Sequence, residues 1–321
     1  MATQNQKPPP RLRLGTRGSM LAQAQSRLVA GQLEKRNPGL EVELIVISTT
    51  GDVIADRPLH EFGGKGLFTK ELEQALLANT IDFAVHSFKD VPVTMPLVEQ
   101  SNLIIAAVPK REDPRDLLVC EKVDSLAKLP PGARVGTGSL RRRCQILAAR
   151  PDLIVTPIRG NIDTRVRKLQ SGEFDAVILA MAGTRRAGIF DSHLMHLIEP
   201  EELLPAPGQG ALALQCRRDD QNTRSLLASM NDPDAELCVA AERELIRLLN
   251  GDCHSPIAAL AELSNTGDTR ALSLQAVVGH RDGEPPVISA QFTGTPSQPA
   301  ELAKAVFQLL EAQNALAILH G

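Results

Sequence analysis

Short runs of apolar residues alternate with longer stretches in which apolar positions recur every three or four residues, through the first two-thirds of the chain. Such runs predict buried strands, and such recurrence predicts amphipathic helices. The predicted strands cover 11–14, 41–48, 82–86, 103–108, 134–136, 153–158, 176–180 and 212–216. The predicted helices cover 19–35, 69–78, 139–150, 162–170, 221–230 and 234–249. Alternation of this kind is typical of an α/β fold, with helices on both faces of each sheet.

The pattern changes in the last third of the chain. The segment 204–211 contains two Pro and two Gly, so it is a linker or a tight functional loop. After Cys253, segments 257–263, 271–279 and 287–293 have the pattern of antiparallel strands joined by polar turns, and 301–314 has that of a closing helix. We therefore expect an α/β region followed by a small α+β C-terminal domain.

Composition narrows the classes of function. A length of 321 residues favours two or three domains, and 43% hydrophobic residues can fill several cores. The chain has eight Phe but no Tyr and no Trp, which argues against nucleic-acid binding by base stacking. A net charge of −3 gives no basic field to attract DNA or membranes. The N-terminus lacks an apolar signal core, and no apolar run approaches the roughly 18 residues of a membrane helix.

The five cysteines show neither a CxxC pair nor a Cys/His spacing suited to zinc. That usage fits a reduced compartment better than a disulfide framework, so we expect a cytoplasmic protein without a metal site. Four of the cysteines lie in or beside apolar runs and are expected in cores. Cys253 lies in a polar turn and is expected to be exposed and reactive, although an ordinary loop thiol fits the same pattern.

Arginines recur at predicted helix starts. Arg17 precedes Ser19, a candidate N-cap; Arg141–Arg143 follow another start; Arg159 and Arg165 flank a third. A cation at a helix N-terminus is disfavoured by about 0.3–1 kcal/mol, so the repetition favours an anion bound in front of these helices. Solvated helix faces are the alternative.

Two further segments carry candidate chemistry. Asp90 and Lys89 follow the predicted strand 82–86, and ligands usually bind where strands of open α/β sheets end. Asp90 is therefore a candidate acid, base or cation-stabilising carboxylate, with an ordinary turn Asp as the alternative. Lys65 lies in a Gly-rich segment, 62–68, that is either a cation-carrying loop or a flexible turn and lacks the P-loop spacing.

Ten blocks in order resemble the porphobilinogen deaminase (hydroxymethylbilane synthase) family over about residues 11–320. They read LRLGTRGS, GDVIADRPL, GGKGLF, HSFKDVP, REDPRD, GTGSLRR, RGNIDTR, DAVILAMAG, PGQGAL and GDCHSPI. The resemblance implies two lobes like those of periplasmic binding proteins, with the active site between them. It implies a discontinuous domain 1 (11–108 and 206–229), domain 2 (109–205), and domain 3 (230–321), which carries the cofactor cysteine.

The resemblance also implies the chemistry. The enzyme deaminates porphobilinogen and adds four molecules to a dipyrromethane primer, held by a thioether to Cys253, before releasing hydroxymethylbilane and ammonia. Asp90 matches the family's catalytic residue. The matching substrate- and cofactor-binding residues are Arg17, Ser19, Lys65, Lys89, Thr137, Ser139, Arg141, Arg142, Arg159, Arg165 and Arg186. The implied protein is a monomer that binds neither nucleic acid nor membrane and passes its product to uroporphyrinogen-III synthase.

Two other classes stay open at this point. A two-lobed receptor or sensor for a small anion fits the lobed pattern and the arginines equally well, but it needs no unique exposed thiol, and a secreted receptor should have a signal peptide. A nucleic-acid-binding protein using Arg141–Arg143 would show affinity that falls steeply with salt, and the net charge and the missing Tyr and Trp count against it.

Overall fold

The structure is a computed structural model that describes residues 11–49, 69–93, 102–266 and 269–320. Within these ranges, no helix combines the length and apolarity needed to cross a bilayer. The strands are β1 (Arg11–Arg17), β2 (Glu41–Ile47), β3 (Phe83–Ser87), β4 (Leu103–Ala107), β5 (Asp116–Val119), β6 (Arg134–Gly136), β7 (Ile154–Thr156), β8 (Ala176–Ala180), β9 (Met195–Ile198), β10 (Leu212–Arg217), β11 (Ile257–Thr266), β12 (Thr269–Gly279) and β13 (Val287–Gly294). The helices are α1 (Met20–Arg36), α2 (Lys70–Leu77), α3 (Leu140–Ala149), α4 (Ile162–Gln170), α5 (Met181–Arg186), α6 (Gln221–Ala228), α7 (Pro233–Leu248), α8 (Pro299–Glu311) and α9 (Ala315–His320).

The first lobe is built on a five-stranded sheet in the order β2-β1-β3-β10-β4. β1 runs parallel to both β2 and β3, whereas β10 runs antiparallel to β3 and β4. Helix α1 buries Val29 and Leu33 against one face of the sheet, and α2 buries Leu72 and Leu76 against the other. Both faces of the central strands are therefore covered, which explains why their sequences are nearly continuous apolar runs.

The second lobe repeats this arrangement in the order β7-β6-β8-β5-β9. β6 runs parallel to β7 and β8, and the antiparallel β5 lies between β8 and β9. The chain crosses between the lobes twice. It passes from β4 of the first lobe to β5 of the second, and from β9 of the second lobe back to β10 of the first, so each crossover leads into the antiparallel strand of the lobe that it enters. Two connections between the lobes place the carboxyl ends of both sets of parallel strands around one cleft.

The C-terminal unit is a three-stranded antiparallel sheet in the order β11-β12-β13, with helices packed on one face. Leu272, Leu274, Ala276 and Val278 alternate along β12 and are all fully buried against α7, α8 and α9. This period of two is the pattern of a sheet with one buried face. The predicted fold class, two α/β lobes followed by a small α+β unit, is confirmed.

Several elements differ from the sequence prediction. The strand predicted over 153–158 is limited to β7, and the short elements β5, β9, α5 and α9 were not predicted. The predicted domain boundaries stay a prediction, although β10 does lie inside the sheet of the first lobe.

Candidate active site

The cleft between the lobes lies at the carboxyl ends of parallel strands of both sheets. The described residues around it enclose about 310 Å³, within the range of small-molecule sites. Its lining includes five basic side chains and a single carboxylate, those of Arg17, Lys89, Arg142, Arg165, Arg186 and Asp90. All six are residues that the sequence predicted, and the structure brings them together from the ends of five different strands, β1, β3, β6, β7 and β8.

The first lobe contributes the end of β1 and the start of α1. Arg17 is the last residue of β1. Burial lowers the pKa of His86 to about 4, and the positive charge of Arg17 contributes to that shift. Ser19 lines the cleft, and its Oγ accepts a hydrogen bond from the backbone N–H of Ala22 at 3.3 Å. The predicted N-cap is confirmed, so Ser19 fixes the point where α1 begins beside Arg17.

Lys89 and Asp90 occupy a short 3-10 helix, Phe88–Asp90, directly after β3. The ammonium of Lys89 donates to Gln209 Oε1 at 3.3 Å. Burial lowers the pKa of Lys89 to about 8, and the nearby charge of Asp90 opposes that shift. Within the described residues, the Asp90 carboxylate accepts no hydrogen bond and forms no ion pair within 4 Å. Asp90 is therefore an open acceptor on the cleft wall.

Cys253 lies in the turn that follows α7. Asn250 takes a left-handed conformation (φ 52°), and the Asp252 carboxylate accepts hydrogen bonds from the backbone N–H groups of His254 and Ser255 at 2.9 and 3.0 Å. The thiol Sγ lies 3.4 Å from His254 Nδ1. Cys253 is exposed, as predicted, and the other four cysteines of the chain are buried.

The charge of the catalytic candidate, Asp90, acts on the Cys253 thiol. Surrounding protein atoms, then the negative charges of Asp90 and Asp252, raise the pKa of the thiol to about 12. An influence of Asp90 on the thiol requires the two side chains to be near each other. The exposed thiol of the C-terminal unit is therefore within electrostatic range of the carboxylate of the first lobe.

The second lobe supplies cations without acidic partners. Arg165 Nε donates to the carbonyl of Gly160 at 2.9 Å, and burial, together with the charges of Arg142 and Arg159, lowers its pKa to about 10. Arg186 donates to the carbonyl of Gly210 at 2.7 Å, and burial lowers its pKa to about 10. Among the described residues, no carboxylate lies within 4 Å of either guanidinium. Positive charge without a partner in a partly buried cleft favours an anionic ligand.

The three consecutive arginines at the start of α3 diverge. Arg141 contacts the Asp116 carboxylate at 2.9 Å and the Leu204 carbonyl at 2.6 Å. Arg142 contacts the other Asp116 oxygen at 2.7 Å and still reaches the cleft lining. Arg143 bonds the carbonyl of Val155 and the carboxylate of Glu284.

Asp116 is fully buried between the first two of these arginines. Burial opposes its ionisation, but the charges of Arg141 and Arg142 outweigh burial and hold its pKa well below the usual range. The expected anion in front of this helix start is therefore, at least in part, a carboxylate of the protein itself. Ligand binding by Arg141 stays a prediction, because its described contacts are with protein atoms.

Three more predicted residues are not among the described residues that line the cavity. Thr137 is buried, and its Oγ1 accepts a hydrogen bond from the backbone N–H of Ser139 at 3.3 Å. Neither residue lines the cavity enclosed by the described residues. Lys65, with its Gly-rich segment, lies outside the described residues.

Gln209 was not predicted, and it joins the lobes. Its Nε2 donates to Asp116 Oδ1 at 2.8 Å and to the Pro114 carbonyl at 2.6 Å, while its Oε1 accepts from Lys89. It is held between two glycines with positive φ, and a Cβ on Gly210 would lie 2.3 Å from the Glu112 carbonyl oxygen. An amide in a Pro/Gly segment shows no pattern that would have revealed this role.

These features define a class of protein. Two α/β lobes enclose a cation-lined cleft, and a third unit presents one exposed thiol within electrostatic range of a carboxylate that no described residue pairs with, as expected of a group-transfer enzyme acting on anionic compounds. The family model of the porphobilinogen deaminase dipyrromethane cofactor-binding domain matches residues 12–225, and that of the C-terminal domain matches 236–312. The chain belongs to the porphobilinogen deaminase family: it is a transferase of tetrapyrrole biosynthesis that uses a dipyrromethane cofactor and forms hydroxymethylbilane.

Two curated relatives, both porphobilinogen deaminases, agree with this assignment. The porphobilinogen deaminase of Syntrophobacter fumaroxidans is 48% identical over 94% of both chains. That of Roseiflexus sp. strain RS-1 is 44% identical over 96% of this chain and 98% of the relative. Among solved structures, the methionine-binding protein MetQ covers 73% of this chain and 94% of its own, at 13% identity and a TM-score of 0.41. The resemblance found in the sequence is confirmed.

Proposed function

We propose that this chain carries its dipyrromethane on Cys253 through a thioether and uses Asp90 to catalyse deamination and joining of four porphobilinogen molecules. The observation that supports this most directly is the Asp90 carboxylate, to which no described residue donates a hydrogen bond. It lines one cavity with Lys89, Arg165 and Arg186, and its charge acts on the single exposed thiol. An anion-binding sensor would need the cations but not the thiol.

The residues present fit the cofactor. Its pyrrole rings carry acetate and propionate groups, and Lys89, Arg165 and Arg186 offer charge that no described carboxylate neutralises within 4 Å. The Asp90 carboxylate is free to accept hydrogen bonds from pyrrole N–H groups. When bound, the cofactor would supply the unsubstituted pyrrole carbon to which the first new ring is joined, and each later ring would be joined to the ring added before it.

Asp90 has two tasks in this proposal. It orients a pyrrole by accepting its N–H, and its charge stabilises the positive charge that develops on the incoming ring as ammonia leaves. Because no described residue donates a hydrogen bond to it, it need not break a hydrogen bond to that part of the chain before acting. Carboxylates of the substrate are bound by the basic residues that line the cavity with it, namely Arg17, Lys89, Arg142, Arg165 and Arg186. A binding role for Arg159 follows from the family resemblance. Roles for Ser19, Thr137, Ser139, Arg141 and Lys65 in binding follow from the family resemblance.

The size of the cleft bears on elongation. A volume of about 310 Å³ is at the lower end for ligand sites, whereas the product grows ring by ring on a fixed thiol. We therefore propose that the two crossovers act as hinges that open the lobes as the chain lengthens. The domain division proposed is 11–108 with 206–229, 109–205 and 230–321, supported by β10 pairing with β3 and β4. Cytoplasmic location, a monomeric state and delivery of product to uroporphyrinogen-III synthase are proposed from the family alone.

The intact mass of the purified protein tests the proposal. We expect a mass above that of the sequence by one dipyrromethane, and further steps of one pyrrole unit after brief exposure to porphobilinogen. Cys253→Ser should lose the added mass, whereas Cys238→Ala, which removes a buried cysteine of α7, should keep it. An unmodified wild-type protein with full activity would exclude the proposal.

A second variant isolates the carboxylate. Asp90→Asn should keep the cofactor mass and lose turnover by about 10²-fold or more, the cost of removing one preorganised electrostatic contact. Turnover near the wild-type rate would rule out the catalytic role of Asp90. Tight binding of porphobilinogen without any turnover by the wild-type protein would instead favour the sensor.

A further inference from the structure

Arg243 of α7 makes three contacts with the segment that carries Asp90. Its two terminal nitrogens donate to the carbonyls of Val91 and Pro92 at 2.9 and 2.7 Å, and its guanidinium carbon lies 4.8 Å from the centre of the Phe88 ring. Among the described residues no carboxylate lies within 4 Å of it. The guanidinium is therefore committed to backbone oxygens and an aromatic face, and burial lowers its pKa to about 10.

These contacts fall on both sides of the catalytic candidate. Phe88 begins the 3-10 helix that contains Asp90, and its carbonyl accepts from the N–H of Val91 at 3.1 Å. Phe88 and Val91 also lie in one buried hydrophobic cluster with Ala235 and Val239 of α7. Ala235, Val239 and Arg243 follow one another at intervals of four residues and so share one helix face. One face of α7 thus holds the segment before and after Asp90.

The same helix leads to the thiol. α7 ends at Leu248, and the chain turns at once: the N–H of Asn250 bonds the Arg247 carbonyl at 3.2 Å, and that of Gly251 bonds the Ile246 carbonyl at 3.0 Å. A Cβ on Gly251 would come within 2.4 Å of the Ile257 side chain, so the turn is closely packed. Cys253 is therefore held by a short, hydrogen-bonded connection to the helix that also holds Asp90.

We infer that Arg243 is a positioning residue, which sets the separation between Asp90 and the Cys253 attachment point by binding the backbone on the far side of Asp90. The inference rests on the proposed function. An arginine suits this role because its planar fork reaches two consecutive carbonyls while its face covers a ring, whereas a lysine ammonium is a single point donor. A shift of about 1 Å between reacting groups can cost about 10²-fold in rate.

The test compares cofactor-loaded wild type with Arg243→Met, Arg243→Lys and the control Arg247→Met. Arg247 lies one turn further along α7 and is exposed, and among the described residues its side chain pairs with Glu244 of the same helix alone. Steady-state kinetics with porphobilinogen give kcat and KM, and the intact mass gives the fraction of protein that carries cofactor. Arg243→Met should lower kcat by about 10- to 100-fold, with KM changed less than about threefold and the loaded fraction unchanged. Arg243→Lys should be intermediate, and Arg247→Met should match wild type.

Three results would overturn the inference: an Arg243→Met kcat within about twofold of the control, a rise in KM that accounts for the loss, or a fall in activity equal to the fall in loaded protein. If Arg243→Met does not fold, a kcat of Arg243→Lys equal to that of wild type would also overturn the inference. Failure of the proposed function looks different, since wild type itself would then carry no dipyrromethane and show no turnover.

Discussion

Asp116→Asn should destabilise the second lobe strongly. The carboxylate is fully buried, contacts two guanidiniums that are only 3% and 6% exposed, and accepts a hydrogen bond from Gln209. Asparagine keeps one oxygen for Arg142 and Gln209 but turns an amide donor toward Arg141. Removing one partner of a buried ion pair costs about 3–5 kcal/mol, and because one acceptor survives we expect about 3 kcal/mol.

Urea unfolding followed by far-UV circular dichroism measures this loss, and hydrogen exchange of peptides from β5, α3 and β8 localises it. Asp152→Asn is the control, because Asp152 forms its ion pair with Arg150 near the surface of the same lobe and should change little. The control keeps the same chemical substitution and removes only the burial.

The pH dependence has a definite sign. The folded pKa of Asp116 is depressed, so its stabilisation is complete above the unfolded pKa of about 3.9 and is lost as pH falls through the folded value. The difference between wild type and Asp116→Asn should therefore be constant from about pH 5 to 8 and shrink below about pH 4. A difference under about 1 kcal/mol at neutral pH, or one that grows on acidification, would refute a buried charge cluster as the source of stability.

Three further predictions concern the cleft. Burial lowers the pKa of Lys89 to about 8, so the KM for porphobilinogen should rise as the pH passes about 8 and the ammonium loses its charge. Lys89→Met should abolish that rise, and measurements of kcat and KM between about pH 7 and 9 test both expectations. Gly210→Ala places a methyl group against a backbone oxygen at φ +86°, whereas Gly172 has a similar φ and open space around it. Gly210→Ala should therefore lose more stability in urea unfolding than Gly172→Ala, and equal losses would contradict the close approach. Arg165→Leu should raise KM by about 10- to 100-fold, the worth of a charge-assisted hydrogen bond, while Arg167→Leu on the same helix should not; similar KM values in both would remove Arg165 from the site.

The position of each chemical group along the chain could be predicted from the sequence better than its partner could. Lys89 and Asp90 follow an apolar strand, and topology then requires that they lie at the sheet edge. The charges at the start of α3 were correctly located, but their partner Asp116 lies 26 residues away from Arg142, on a four-residue strand too short to show a pattern. Contacts of this kind depend on how strands pack side by side, which no local periodicity encodes.

The partners of Arg243 could not be predicted from the sequence either. On a helix, a basic residue at a core-facing spacing is indistinguishable in sequence from one that extends past the core to water. Only the meeting of α7 with the segment after β3 gives it two carbonyl partners. Lys65 and its neighbours are a different case, since they lie outside the described residues and their predicted role stays a prediction.

The place of β10 between β3 and β4 determines the order in which the lobes can be completed during synthesis. In the described sheet, β4 pairs with β10 alone, and the contact of His86 with Gln215 joins residues 129 positions apart. Every strand of the second lobe leaves the ribosome before β10 does. The second lobe can therefore complete its sheet during synthesis before the first lobe can, because the sheet of the first lobe lacks the strand between β3 and β4 until β10 is made.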